Sequence, residues 1–210
     1  YKRQLLNDAY RIAAGDIVGN IVYYQNGLLT EEKPCMIAGL DYNTPWTRDT
    51  AINIWNALSI LSPEVSKNTL LAVLEEEEGN IYIGGQYWDS IIWMIGAREY
   101  CRFHKDDNFY RLAFEAGRNS VHRLEEDEFD EEDGLFRGPA VYGDGIAAYP
   151  DKYSKCPNQG SGILEWVDYP GNPVYPKGYG IPMKALSTNC VYFKVYEILA
   201  EMAHALGEPA

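Results

Sequence analysis

The chain has 210 residues, 46% of them hydrophobic and 13% aromatic, and a formal net charge of −13. That length and balance describe one globular domain, and so acidic a surface repels phosphate backbones and anionic lipid heads, which argues against nucleic-acid and membrane-surface roles. No apolar run is long enough to span a bilayer and no signal-peptide pattern appears, while Tyr1-Lys2-Arg3-Gln4 opens the chain without a methionine and leaves room for an upstream leader or domain.

Leu5, Leu6, Ala9, Ile12, Ala13 and Ile17 recur at spacings of three and four and predict a helix over 1–24 that buries this stripe. Asn26-Gly27 ends it, and residues 25–47 read as a long polar connection. Pro45 holds the residue before it out of the α region, so the segment arrives extended and turns into a second helix over 49–61. Ile52, Trp55, Ala57 and Leu58 form its apolar side. Ser62-Pro63 stops that helix and serves as N-cap and N1 of a third, with Glu64 in the first turn and Val65, Leu70, Leu71 and Leu74 following.

Glu75 to Glu78 are four successive carboxylates; at a helix C-terminus they oppose the dipole and read as a frayed, solvated end. Residues 79–88 form a second connection rich in glycine and aromatics. Asp89 or Ser90 caps a fourth helix to about His104, and Asp106-Asp107 leads to a fifth over 108–125 that carries Phe109, Leu112, Ala113, Ala116 and Leu124. From 125 to 186 the chain is mostly glycine, proline, tyrosine and acid, far beyond ordinary loop length, which marks a functional excursion. Ser187-Thr188-Asn189 opens a sixth helix with Val191, Val195, Ile198, Leu199, Met202 and Leu206 that stops at Gly207.

The fold class expected is therefore all-α: six helices and no strand ladder. Long connections (25–47, 79–88, 126–186) precede helices two, four and six, and short ones (62–63, 105–107) precede three and five. Antiparallel helical hairpins joined this way put every long loop on one rim, where function sits on a rigid scaffold.

Chemistry narrows by elimination. The four cysteines have no C-x-x-C spacing, and His104, His122 and His204 have no second His or Cys at i+4, so no metal site is expected. Asp127 to Asp133 has acids loosely spaced like a calcium loop but lacks its internal glycine and closing glutamate. Neither a nucleophile elbow nor a phosphate-cradling glycine pattern is present, and no cofactor is implied. Carboxylates and aromatics remain. Trp46, Arg48 and Asp49 bring together an indole face, a planar donor and an acceptor, a set that suits the faces and hydroxyl edge of a sugar ring and that also reads as a helix cap with a local ion pair. Asp144, between Gly143 and Gly145 and beside Tyr142, is a candidate proton donor; Glu165, next to Trp166, and Asp168 compete with it.

Three stretches carry a likeness. Trp46-Thr47-Arg48-Asp49-Thr50-Ala51 resembles the Trp-x-Arg-Asp-x-Ala segment of the six-hairpin, (α/α)6-barrel glycoside hydrolases, a group with glucoamylases, processing α-glucosidases and mannosylglycerate hydrolases. Gly84-Gly85-Gln86-Tyr87-Trp88-Asp89 resembles the next rim loop of that group. Asp133-Gly134-Leu135 with the Asp144 loop, then Leu186-Ser187-Thr188-Asn189, resembles the region that delivers the general acid.

The resemblance implies inverting, exo-acting hydrolysis of an α-glycosidic bond, with two carboxylates roughly 6.5–9.5 Å apart. It implies that Arg48 and Asp49 hold the terminal sugar, that Trp46, Gln86, Tyr87, Trp88, Asp89, Tyr142 and Trp166 line its site, and that Asp144 is the acid. Twelve helices make such a barrel, so the chain is expected to be one domain, 1–210, forming the N-terminal half, with the base beyond Ala210 and the remaining half as partner. A non-catalytic carbohydrate-binding domain and a sugar epimerase are the competing readings.

Overall fold

The computed structural model describes residues 2–39, 41–85, 89–138 and 184–208. Its helices are α1 (Lys2–Gly19), α2 (Thr47–Asn53), which continues through a π-helical turn (Ile54–Leu58) into α3 (Ser59–Leu61), α4 (Pro63–Ala72), α5 (Asp89–Phe103), α6 (Asp107–Glu128) and α7 (Leu186–Leu206). Residues 47–61 form one unbroken rod, so the described residues hold the six helical segments expected, and the helix-rich class stands.

Helix directions are fixed by contacts. Ala51 meets Gly96, and the Ser59 carbonyl lies 2.6 Å from Nε2 of His104, so α2–α3 and α5 ascend together. Gly117 packs between Met94 and Leu199, and Arg98 pairs with Glu201 at 2.9 Å, so α7 ascends with α5 as well. The Trp93 indole N–H donates to the Leu70 carbonyl, Lys67 pairs with Asp106, and Tyr100 stacks edge-on against Phe109, so α4 and α6 run the opposite way. The starts of α2, α5 and α7 therefore share one end, the end the three long connections reach. Helix α5 is the hub: Ile91, Ile92, Trp93, Met94 and Ala97 are fully buried.

Where the sequence suggested no strands, the described residues form three antiparallel hairpins: β1 (Ile21–Tyr24) with β2 (Lys33–Met36), β3 (Leu74–Glu77) with β4 (Asn80–Ile83), and β5 (Phe129–Asp130) with β6 (Leu135–Phe136). The first helix ends at Gly19, before the β-branched and aromatic run Ile21-Val22-Tyr23-Tyr24, which suits a pleated surface better than a helix. The acid run is not a frayed helix end. Its register pairs Leu74 with Ile83 and Glu75 with Tyr82, and Glu78 and Gly79 both have positive φ (51° and 81°), as a primed hairpin turn requires.

The hairpins brace the helices. Thr69 accepts from the Met36 N–H and Asn68 donates to the Pro34 carbonyl, tying β2 to α4. Ser120 accepts from the Ile83 N–H and Asn119 donates to the Ile81 carbonyl, tying β4 to α6. The turn after β1 supplies donors to carbonyls that the last turn of α4 leaves open: the Leu28 N–H bonds Leu71, and the Asn26 amide bonds Ala72.

Two apolar stripes differ from expectation. In α1, Leu5, Leu6 and Ile12 are 60%, 71% and 65% exposed, and of the stripe only Ile17 packs on the core among the described residues. In the second rod Trp55 turns outward while Ile54 and Leu58 are buried, because the π-helical turn inserts extra backbone and rotates the later residues of the rod about its axis.

Two outcomes are expected. A Cβ at Gly96 would lie 2.8 Å from the Ala51 α-carbon, against backbone that cannot swing aside. Gly96→Ala should cost about 1–3 kcal/mol in urea unfolding. Asp106 caps α6 by accepting from the Phe109 N–H and pairs with Lys67, and the Lys67 bond holds its carboxyl below the ordinary value. A depressed carboxyl stabilises above its unfolded value and loses that contribution as pH falls through the folded one. Asp106→Ala should cost about 1 kcal/mol at pH 7, and the gap from wild type should narrow as pH falls below about 4.

Candidate functional site

The site is built where the starts of α2 and α5 meet. Trp46 is the N-cap residue of α2, in extended conformation (φ −114°, ψ 137°), and its carbonyl accepts from the Thr50 N–H. The helix begins at Thr47, two residues earlier than the spacing suggested. Arg48 and Asp49 thus sit half-buried within the first turn, where the dipole favours the carboxylate of Asp49. The buried Thr47 hydroxyl donates to the Gly84 carbonyl at 2.8 Å, which stitches the start of α2 to the loop that leads into α5.

Asp89, the first residue of α5, is 4% exposed. Gly85 has φ +114°, a left-handed conformation that suits glycine, and a Cβ there would come within 2.6 Å of Asp89 Oδ2 and 2.9 Å of the Thr47 hydroxyl. The backbone passes so close to this carboxylate that no side chain fits between them.

These elements form a pocket of about 170 Å³ lined by Pro45 and Trp46, by Gly84, Gly85 and Asp89, by Asn26 and Val73, and by Glu75 of β3. Trp46 remains 38% exposed, and Tyr42 packs edge-on against it with ring centroids 5.8 Å apart. The arrangement offers a flat apolar face and carboxylate acceptors at monosaccharide scale. A larger hollow of about 410 Å³ lies between α6 and α7, lined by Phe114, Val121, Leu199 and Ala203. Its polar groups engage one another: Tyr196 donates to Glu125, Glu125 faces His122 at 2.9 Å, and Arg118 lies over the Phe114 ring.

Of the residues expected at a site, the structure brings Trp46 and Asp89 into one pocket and keeps Arg48 and Asp49 on the adjoining turn. Gln86, Tyr87, Trp88, Tyr142, Asp144, Glu165, Trp166 and Asp168 lie outside the described residues. Asn26, Thr47 and Glu75 join the pocket without having been singled out. No local signal marked Glu75, because Leu74-Glu75-Glu76-Glu77 has no apolar alternation to separate a strand from a helix end. At the start of α7, the Asn189 amide exchanges two bonds with the Phe136 backbone, and Gly138 bridges Lys184, whose ammonium pairs with Asp130 and Asp133. Among the described residues no group of three His, Cys, Asp or Glu is placed to hold a metal ion.

No family model, curated protein or solved structure matches the chain.

Gly85→Ala should push Asp89 away from the pocket floor and strain the backbone at once. Urea unfolding should read a loss of about 1–3 kcal/mol, and a wild-type midpoint would mean that the Gly85 contact is slack.

Proposed function

We propose that the pocket between the starts of α2 and α5 holds the terminal sugar of an α-glycoside, and that the chain contributes half of an (α/α)6 barrel that hydrolyses that bond with inversion. The observation that carries the reading is that the half-exposed indole of Trp46 and the buried Asp89 line one pocket of about 170 Å³. A pyranose presents C–H groups on its faces and hydroxyls on its edge, so an aromatic plane and fixed acceptors match both. A chain charge of −13 matches a neutral ligand.

In this reading Trp46 stacks on the sugar face and Asp89 accepts from hydroxyls. Arg48 and Asp49, on the first turn of α2, hold the ring edge as the Trp-x-Arg-Asp resemblance implies. The leaving oxygen takes its proton from Asp144, with Glu165 and Asp168 as alternatives, and a second carboxylate from the remaining half of the barrel activates water on the opposite face. That α2, α5 and α7 run parallel while α4 and α6 run the opposite way supports this reading. Epimerase chemistry is disfavoured by the histidines, since His104 sits at the opposite end against Ser59 and His122 in the α6–α7 hollow.

The test uses the protein with whatever chain completes its barrel and a panel of α-linked disaccharides. Proton NMR should show the released sugar with inverted anomeric configuration. Asp144→Asn should lower turnover by about 10²–10⁴-fold and leave sugar affinity within a few-fold, whereas Trp46→Ala should weaken affinity about tenfold. Full turnover in Asp144→Asn would move the acid to Glu165 or Asp168. Tight sugar binding without turnover would turn the reading into a carbohydrate-binding domain.

A further inference from the structure

The strand β3 places a second carboxylate on the pocket wall. Glu75 Oε1 lies 2.5 Å from where a Cβ on Gly84 would stand, just as Asp89 Oδ2 lies 2.6 Å from the same point on Gly85. Two successive glycines thus carry two carboxylates against their backbone, one from a strand and one from a helix start, and both line the pocket beside Trp46.

The partners of the two neighbouring strand acids differ. Glu75 and Glu77 project to the same face of β3. Glu77 takes both terminal nitrogens of Arg123 at 2.6 and 3.2 Å, and that guanidinium stacks 3.6 Å over the ring of Tyr82. The nearby cation is thereby committed to Glu77 and Tyr82. Among the described residues no hydrogen bond or ion pair engages the carboxylate of Glu75, which stays exposed at the pocket wall.

We propose that Glu75 is a specificity-determining residue of this pocket. Its carboxylate accepts hydrogen bonds from two adjacent hydroxyls of the bound sugar and so selects their relative configuration. A carboxylate offers acceptors only, and two oxygens in one plane match two vicinal O–H donors. Asp89, fixed in the floor by burial, holds the ring from below, while Glu75, on an exposed strand, reads the hydroxyls at the pocket mouth. The proposal rests on the sugar reading of the pocket and names a contact that reading does not require.

The experiment is calorimetric titration of the protein, together with whatever chain completes its barrel, with free hexoses and their monodeoxy analogues. Glu75→Ala should weaken the best-binding hexose about 10–100-fold, with Glu75→Gln between that and wild type. The deoxy analogue that lacks a contacted hydroxyl should bind poorly to wild type yet no worse than the parent sugar to Glu75→Ala. Glu76→Ala, on the other face of the same strand, should stay within twofold of wild type. Unchanged affinity in Glu75→Ala, or an equal loss in Glu76→Ala, would overturn the proposal while a large loss in Trp46→Ala kept the sugar pocket intact. A wild-type chain that binds no hexose, or Trp46→Ala binding as wild type does, would overturn the sugar reading and this contact together.

Discussion

Backbone-to-backbone contact between Ala51 of α2 and Gly96 of α5 is the constraint on which the site depends. The missing side chain at Gly96 lets two parallel helices touch where any Cβ would hold them apart. Thr47 lies roughly 6 Å of helix before Ala51, and Asp89 roughly 10 Å before Gly96. Rigid helices carry the close approach up to the pocket, where the Thr47–Gly84 bond and the bare backbone of Gly85 repeat it on a finer scale. Trp46 and Asp89 share one pocket because the helices behind them cannot drift.

The hairpins do for the rim what α5 does for the core. Each ends a helix or covers one, and each junction satisfies backbone groups that would otherwise be open: Asn26 and Leu28 bond the end of α4, Ser120 and Asn119 of α6 bond β4, and Asn189 of α7 bonds β6. A loop in place of β3–β4 would leave Glu75 without a fixed position. The ladder, together with Arg123 clamped between Glu77 and Tyr82, turns an acid run into a wall of the pocket.

Charge is partitioned accordingly. The carboxylates that hold structure have cations or backbone donors: Asp106 with Lys67 and Phe109, Asp130 and Asp133 with Lys184, Glu77 with Arg123. Lysine and arginine contribute 18 residues against 31 acids, so one cation can serve two carboxylates, as Lys184 does.

The helices were legible from the sequence alone, because each carries its own period and punctuation: Pro63 at the first position of α4, Asp106 capping α6, Gly207 in the left-handed conformation closing α7. Trp46 and Asp89 could be singled out because proline and capping signals put them at helix starts. The hairpins could not be told from helix ends, since four-residue strands are too short for period two to separate from helical spacing. Nor does any local pattern say that Gly96 receives Ala51, that Trp55 faces outward past a π-helical turn, or that the stripe on α1 stays uncovered by the described residues. Local propensity and caps determined the elements. Contacts between residues some forty positions apart decided which of their acids share a pocket, because only packing brings the start of one helix to the loop before another.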